Sequence, residues 1–155
     1  MNDNKPKADI FDRLFSLPLF KWAAPFFSRH REGLLYLFFG VLTTAVSWGS
    51  FYLFHYPLGI DELIANPLSW VVAVLFAFFT NRTWVFRTHG VGFLREMLLF
   101  FGARLGTLIF EEAVIFLFVT TLSYHAMAVK MIGNVAVLIL NYLLSKLLVF
   151  RKKEK

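Results

Sequence analysis

The residues of this chain that could do chemistry are charged side chains inside otherwise apolar stretches. Arg104, Glu111 and Glu112 fall in one such stretch, Lys130 lies near the start of the next, and Asn134 follows it by four residues. A charge at mid-bilayer costs about 2.5–3.5 kcal/mol on insertion scales, so it normally faces an opposite charge or a wet cavity. Two interpretations stay open. The charges, with Glu112–Lys130 as the expected pair, either neutralise one another and fix helix packing, or line a polar cavity.

Two further cations, Arg82 and Lys146, take equivalent places at the ends of apolar stretches. Phosphate needs cationic donors, and Arg adds a planar fork that grips two oxygens. Arg82 and Lys146 are therefore candidates for holding a phosphate, with Arg104 as the next cation deeper in the membrane. The alternative is ordinary anchoring by long basic side chains that reach water at the membrane surface. Arg87 and Arg151 are interpreted as such anchors.

The elements that must position these side chains are repeated. The sequence LFFG at 37–40 recurs at 99–102, and VFR at 85–87 recurs at 149–151. Each copy contains two apolar stretches, which predicts two tandem two-helix units. Because two spans return the chain to its starting side, both copies should insert in the same orientation, about an axis along the membrane normal.

Composition and stretch length predict an all-α integral membrane protein. Hydrophobic residues make up 58% of the chain and charged residues 17%, against about 45–50% and 25% in soluble domains. A span needs about 20 mostly apolar residues. Pro67 is expected in the first turn of the second span, where its missing N–H has no partner anyway. The four predicted spans are residues 34–54, 63–80, 97–122 and 127–148.

Loop charges predict the orientation. Arg-rich segments precede the first span, join the second to the third and follow the fourth, whereas the other two connections are acidic or neutral. By the positive-inside rule, both termini and residues 82–96 should face the cytoplasm. Residues 9–27 mix apolar and charged side chains around Pro18, which predicts an amphipathic segment on the inner leaflet. The expected organisation is an interfacial segment at 1–33, a four-helix membrane domain at 34–151 and a basic cytoplasmic tail at 152–155.

Small residues predict how the third span packs. Gly102 and Gly106 are four residues apart, a spacing that lets helices approach closely. Arg104 lies on roughly the opposite side, since two residues turn a helix by about 200°. We therefore expect the glycine side to pack and the Arg104 side to present charge.

Several segments together resemble the GtrA family of small four-helix membrane proteins. The most specific is NRTWVF at 81–86, supported by matches within 40–44, 65–70 and 141–150. The resemblance covers roughly residues 34–151. It implies flippase-type movement of a polyprenyl-phosphate-linked sugar across the bacterial cytoplasmic membrane, to supply glycosylation of an envelope polysaccharide or teichoic acid.

With this resemblance, the expected phosphate ligands are Arg82, Arg104 and Lys146. No enzymatic activity, cofactor or metal is expected, because the sequence has no P-loop and its four His residues are scattered. The expected partners are the lipid-linked sugar, membrane lipids, a membrane glycosyltransferase and further copies of the chain, but not nucleic acid. The polar residues expected to line the sugar cavity are Glu111, Glu112, Lys130, Asn134, Asn66 and Asn81.

Two other functions remain open. A scaffold that anchors a glycosyltransferase would need the N-terminal segment and the Arg-rich central loop, but not the charges inside the membrane. A small cation or drug exchanger would need an intramembrane Glu, whereas this chain has cationic residues there as well.

Overall fold

Every regular element of the described chain is helical. The structure is a computed structural model that describes residues 9–17, 22–88, 92–123 and 125–150. Within these ranges no strand occurs, which confirms the predicted all-α class. Three of the helices continue into π-helical turns, at Asn81–Val85, Phe116–Thr121 and Ser145–Val149. The helices are α1 (Ile10–Ser16), α2 (Ala24–His55), α3 (Glu62–Thr80), α4 (Phe93–Ile115) and α5 (Ala126–Leu144).

The chain divides into two compact units, Met1–His89 and Gly90–Lys155. In the first unit α1 and α3 both pack against α2, and in the second unit α4 packs against α5. Each unit therefore contains one pair of long helices. The division falls inside the segment 82–96, which the sequence places between the two halves.

The short helix α1 is capped at its start and packed on α2. Asp9 is the N-cap: its Oδ1 accepts from the backbone N–H of Asp12 at 3.0 Å, and Asp12 Oδ2 accepts from the backbone N–H of Asp9 at 3.1 Å. This reciprocal pair satisfies two N–H groups that a helix start leaves open. Phe15 stacks on Phe27 of α2, with ring centroids 3.9 Å apart.

Helix α2 is longer than the predicted first span. It begins at Ala24, ten residues before the predicted start at Leu34, with Pro25 in its first turn. The backbone leaves helical geometry at His30, where φ is −114° and ψ is 17°. Its 32 residues correspond to about 48 Å, more than the roughly 30 Å hydrocarbon layer. Helix α2 is therefore longer than a bilayer core is thick.

Helix α3 starts earlier than the position of its proline implies. Asp61 caps it, since Asp61 Oδ1 accepts from the backbone N–H of Leu63 at 2.9 Å. Pro67 consequently lies inside the helix, and the expectation that it occupies the first turn is wrong. The cap at Asp61 outweighs the proline as a start signal, because it satisfies the open N–H of Leu63 one turn before Pro67.

The packed face of α3 includes a row of small residues at four-residue intervals, and Val74 and Phe78 are buried beside it. Side chains at this spacing share one side of a helix, and small ones let a neighbouring helix approach closely. In the first unit that neighbour is α2. The buried residues of this face are Ala65, Ser69, Ala73, Ala77 and Asn81.

Among the residues that the structure describes, three helical segments are long and apolar enough to cross a membrane: Ala24–His55, Glu62–Val85 and Ile132–Val149. They correspond to the predicted first, second and fourth spans. Helix α4 has 23 residues, which is a sufficient length, but it includes Arg104 at its midpoint and Glu111 and Glu112 in its second half. Helix α4 differs from the other three in its charged residues and not in its length.

The side of α4 that packs is the opposite of the predicted one. Gly102 and Gly106 are exposed, and a methyl group added at either would meet no described atom within 4 Å. Phe100 and Thr107 are buried instead, and Arg104 lies between them on the same side of the helix. The predicted glycine packing is therefore wrong within this chain, because larger side chains on the other face fill the contact with α5.

Candidate functional site

The first candidate site residues lie where α3 widens into its π-helical turn. Thr80 Oγ1 lies 2.9 Å from the carbonyl oxygen of Phe76, and Asn81 Nδ2 donates to the carbonyl of Ala77 at 2.7 Å. Side chains that bond back to such carbonyls compete with the regular backbone ladder. In the turn itself the backbone hydrogen bond spans five residues: the N–H of Phe86 donates to the carbonyl of Asn81 at 2.9 Å. Turns of this kind are frequent at functional sites.

Asn81 is buried, and only part of its amide is satisfied. Its residue surface is 3% exposed, and its Oδ1 has no hydrogen-bond partner among the described residues. A buried acceptor left in this state costs about 1–3 kcal/mol. Asn81 therefore offers a hydrogen-bond acceptor one residue before the half-buried Arg82.

The second unit repeats this local structure. The turn Ser145–Val149 closes with a bond from the N–H of Phe150 to the carbonyl of Ser145 at 2.8 Å. Lys146 is the second residue of its turn, as Arg82 is of Asn81–Val85. Lys146 is exposed, and its Nζ lies 3.4 Å from the hydroxyl of Tyr142. Each turn thus presents one cation at the same register.

Arg104 lies against an aromatic pair in the second unit. Its guanidinium carbon is 5.0 Å from the centroid of the Phe100 ring, within the range of a cation–π contact. The Phe100 ring is in turn 5.8 Å from that of Phe150, which directly follows the π-helical turn. The Phe100–Phe150 pair therefore lies between Arg104 and the end of the turn Ser145–Val149, which includes Lys146.

A buried polar contact joins α4 to α5 beside Arg104. Thr107 Oγ1 is 3.0 Å from Asn141 Oδ1 and 3.0 Å from the carbonyl oxygen of Arg104. Thr107 and Asn141 are both buried. The sequence pattern did not single out Asn141 as a site residue. The available signal was an amide in the middle of an apolar helix, which must find a partner when buried.

The remaining predicted cavity residues lie on α3, α4 and α5. Glu111 is half-buried on α4, about 10 Å along the axis from Arg104. Asn66 is exposed near the start of α3, roughly 22 Å from Asn81 along that helix. Asn134 is exposed on α5. The side chains of Glu112 and Lys130 lie outside the described residues, so their pairing stays a prediction.

The first unit also contains a cluster of ion pairs that the sequence did not predict. Arg31 Nη2 is 2.5 Å from Asp9 Oδ2, and Arg31 Nε is 3.1 Å from Asp12 Oδ1. Arg87 Nη2 is 2.9 Å from Asp9 Oδ2 and also contacts Asp12 Oδ2. We call these four residues the N-terminal ion cluster. Arg87 was interpreted as a surface anchor. This interpretation is wrong, because the Arg87 side chain is only 14% exposed and pairs with the carboxylates of Asp9 and Asp12.

The electrostatics of the N-terminal ion cluster favour its charged forms. Burial alone would raise the pKa of Asp12, but the hydrogen bond from Arg87 and the nearby positive charges outweigh burial and hold that pKa below its usual range. Burial likewise would lower the pKa of Arg87, but its hydrogen bonds to Asp12 and Asp9 outweigh this and raise it. The sequence feature that could have indicated the cluster was the spacing of Asp9 and Asp12, which suits a capping box at the start of a helix.

Comparisons with known proteins agree on one family. Residues 35–150 match the family described as "GtrA/DPMS, transmembrane domain". Over 124 residues the chain is 38% identical to the "Cell wall teichoic acid glycosylation protein GtcA" of Listeria monocytogenes serovar 1/2a, covering 78% of this chain and 86% of the relative. The protein of the same name in Listeria innocua is 37% identical over the same shares. The "Uncharacterized membrane protein YwcD" of Bacillus subtilis is 32% identical over 78% of this chain and 98% of the relative.

Proposed function

The chain belongs to the GtrA/DPMS transmembrane family, and from this premise we propose that it moves a polyprenyl-phosphate-linked sugar across the bacterial cytoplasmic membrane. The sugar would supply glycosylation of a cell-envelope polysaccharide or teichoic acid. The observation that carries the proposal is the agreement between family membership over residues 35–150 and relatives named for teichoic acid glycosylation. In this proposal the chain is a carrier and does not itself form the glycosidic bond.

The proposed architecture has four spans in two tandem repeats. Residues 34–151 form the membrane domain, with an interfacial segment at 1–33 and a basic tail at 152–155. Two observations support the repeat: the chain divides into two units with one long helix pair each, and both units end their second helix in the same π-helical turn. Helix α4 has 23 residues, about 34 Å, which is long enough to span.

The proposed phosphate path uses the three cations in sequence. Arg82 and Lys146 would receive the lipid phosphate at the membrane surface, since each lies at the same register of its turn. Arg104 would be the next donor, deeper in α4. A sugar headgroup would meet polar side chains, while the prenyl tail stays in lipid. The proposed polar residues are Asn66, Asn81, Glu111, Glu112, Lys130 and Asn134.

The proposed setting is the bacterial cytoplasmic membrane, with both termini on the cytoplasmic side. Four helices are few to enclose a headgroup, so we propose that copies of the chain assemble into a homo-oligomer. A membrane glycosyltransferase is the proposed acceptor of the transported lipid. Because the sequence has no P-loop, the proposed movement runs down the gradient of the lipid or is coupled to an ion.

The test is transport of a defined polyprenyl-phosphate glucose in liposomes containing the purified chain. We expect the wild-type chain to accelerate translocation and Arg104→Ala to slow it by about ten- to a hundredfold, since a charge-assisted hydrogen bond is worth about 1.5–3 kcal/mol. Arg104→Lys should recover part of the rate, because Lys keeps the charge but lacks the planar fork. Translocation is measured as the fraction of labelled sugar that reaches the inner leaflet.

Arg29→Gln is the matched control, because Arg29 is an exposed arginine on α2 and has no part in the proposed path. It should transport at the wild-type rate. Full activity of Arg104→Ala at equal protein levels would remove the phosphate path. Absence of transport by the wild-type chain, with envelope glycosylation still dependent on it in cells, would favour the scaffold function instead.

A further inference from the structure

The N-terminal ion cluster contains two arginines that converge from different elements on the same carboxylates. Arg31 lies on α2, and Arg87 follows the π-helical turn Asn81–Val85. We propose that Arg31 and Arg87 form a binding site for a phosphate headgroup, which α1 closes by placing Asp9 and Asp12 on it. This site uses none of the residues of the proposed transport path, and its occupancy can be measured without any transport.

The donor geometry suits a phosphate. The Nη2 atoms of Arg31 and Arg87 lie 2.5 Å and 2.9 Å from one oxygen, Asp9 Oδ2. Arg31 Nε reaches a second carboxylate at 3.1 Å, on Asp12 Oδ1. Two guanidinium forks directed at neighbouring oxygens from two sides are the arrangement in which arginines bind phosphate oxygens. A phosphate oxygen in the place of Asp9 Oδ2 would therefore meet the Nη2 atoms of both arginines.

Arg31 is held by backbone groups outside α1, and Arg87 lies on a constrained backbone. Arg31 Nη2 donates to the carbonyl of Trp84 at 2.9 Å, and Arg31 Nη1 to that of Val85 at 3.4 Å. Arg87 has a φ of 51°, the left-handed region that costs an ordinary residue free energy and is kept only where the surroundings impose it. The side chains of Arg31 and Arg87 are 13% and 14% exposed. Arg31 therefore keeps these two backbone partners if α1 leaves.

Helix α1 is suited to leave. It has seven residues, and a helix this short is marginal in isolation, so its place depends on the body of the first unit. Its outer side is amphipathic: Ile10 is 70% exposed and Leu14, one turn later, is 42% exposed, beside the exposed Arg13. Such a face favours the membrane surface. A phosphate that displaces Asp9 and Asp12 would release α1 to that surface.

The test measures binding of phosphate lipids to the full chain by native mass spectrometry. The probes are a short-chain polyprenyl phosphate, phosphatidylglycerol, phosphatidylcholine and inorganic phosphate. Coupling between competing groups is typically 5- to 150-fold. We expect Asp9→Asn combined with Asp12→Asn to tighten polyprenyl phosphate binding about tenfold. Adding Arg31→Gln should abolish the gain, whereas adding the matched control Arg29→Gln should not.

A second measurement leaves the cluster intact. The chain has no Cys, so Ser16→Cys, at the exposed end of α1, accepts a single spin label. Polyprenyl phosphate should increase the mobility of this label, and phosphatidylcholine should not. An equal response to phosphatidylglycerol would assign the site to bulk anionic lipid, and a response to inorganic phosphate alone would assign it to a soluble anion. No response to any phosphate, or no gain in the double Asn variant, overturns the proposal.

Discussion

Asp12 couples the stability of the first unit to pH. Its pKa lies below the usual range, so the ionised carboxyl stabilises the folded state above the unfolded pKa of about 3.9 and loses this effect as the pH falls through the folded pKa. We expect Asp12→Asn to lower the free energy of unfolding by about 1–3 kcal/mol near neutral pH. This range lies between the values for exposed and buried pairs. Chemical unfolding in detergent, followed as a function of pH, measures it.

The difference between Asp12→Asn and the wild-type chain should shrink as the pH falls below about 4, because the wild-type carboxyl is then protonated as well. Arg13→Gln is the control: Arg13 is the next residue on α1, but it is exposed. It should change the unfolding free energy by less than about 0.5 kcal/mol. Equal losses in the two variants would mean that Asp12 acts through the helix alone.

At the scale of the elements, α3 and α4 should respond oppositely to added volume. Ala77 of α3 is 2% exposed, so Ala77→Leu should destabilise the monomer by about 1–3 kcal/mol through overpacking. Gly106 of α4 faces open space, so Gly106→Ala should be neutral or stabilise by up to about 1 kcal/mol through helix propensity. Thermal unfolding of monodisperse monomer in detergent compares the two. A loss at Gly106 as large as that at Ala77 would restore the glycine packing that the sequence predicts.

At the scale of the whole molecule, the number of spans decides where the chain ends lie. Four spans put residues 90 and 153 on one side, whereas three would put them on opposite sides. We expect Gly90→Cys and Lys153→Cys to be protected from a membrane-impermeant thiol reagent in intact cells. Leu58→Cys, in the exposed connection between α2 and α3, should react from outside.

Permeabilised cells are the control, in which all three single-Cys variants should label. If Lys153→Cys reacts from outside while Gly90→Cys stays protected, the segment after residue 90 crosses the membrane once, and the tandem-repeat topology is wrong.

The sequence by itself determined the helical class, the approximate helix positions and the family. Apolar stretches of span length and the motif at 81–86 are local signals, and in lipid a helix must satisfy its own backbone hydrogen bonds. The equivalence of Arg82 and Lys146 was also readable, because both follow from a linear repeat. The N-cap at Asp61 was a weaker local signal, and Pro67 was wrongly expected in the first turn of α3.

Only the tertiary structure decided which helix faces meet and which charges pair. The Asp9–Arg87 contact joins residues 78 positions apart in the chain, and no spacing rule relates them. The same holds for Thr107 and Asn141, whose contact depends on how α4 rotates against α5. Helix rotation is set by the sum of many weak packing contacts. The Gly102–Gly106 pair therefore predicted the wrong packing face of α4, since a small-residue spacing permits close packing but does not compel it.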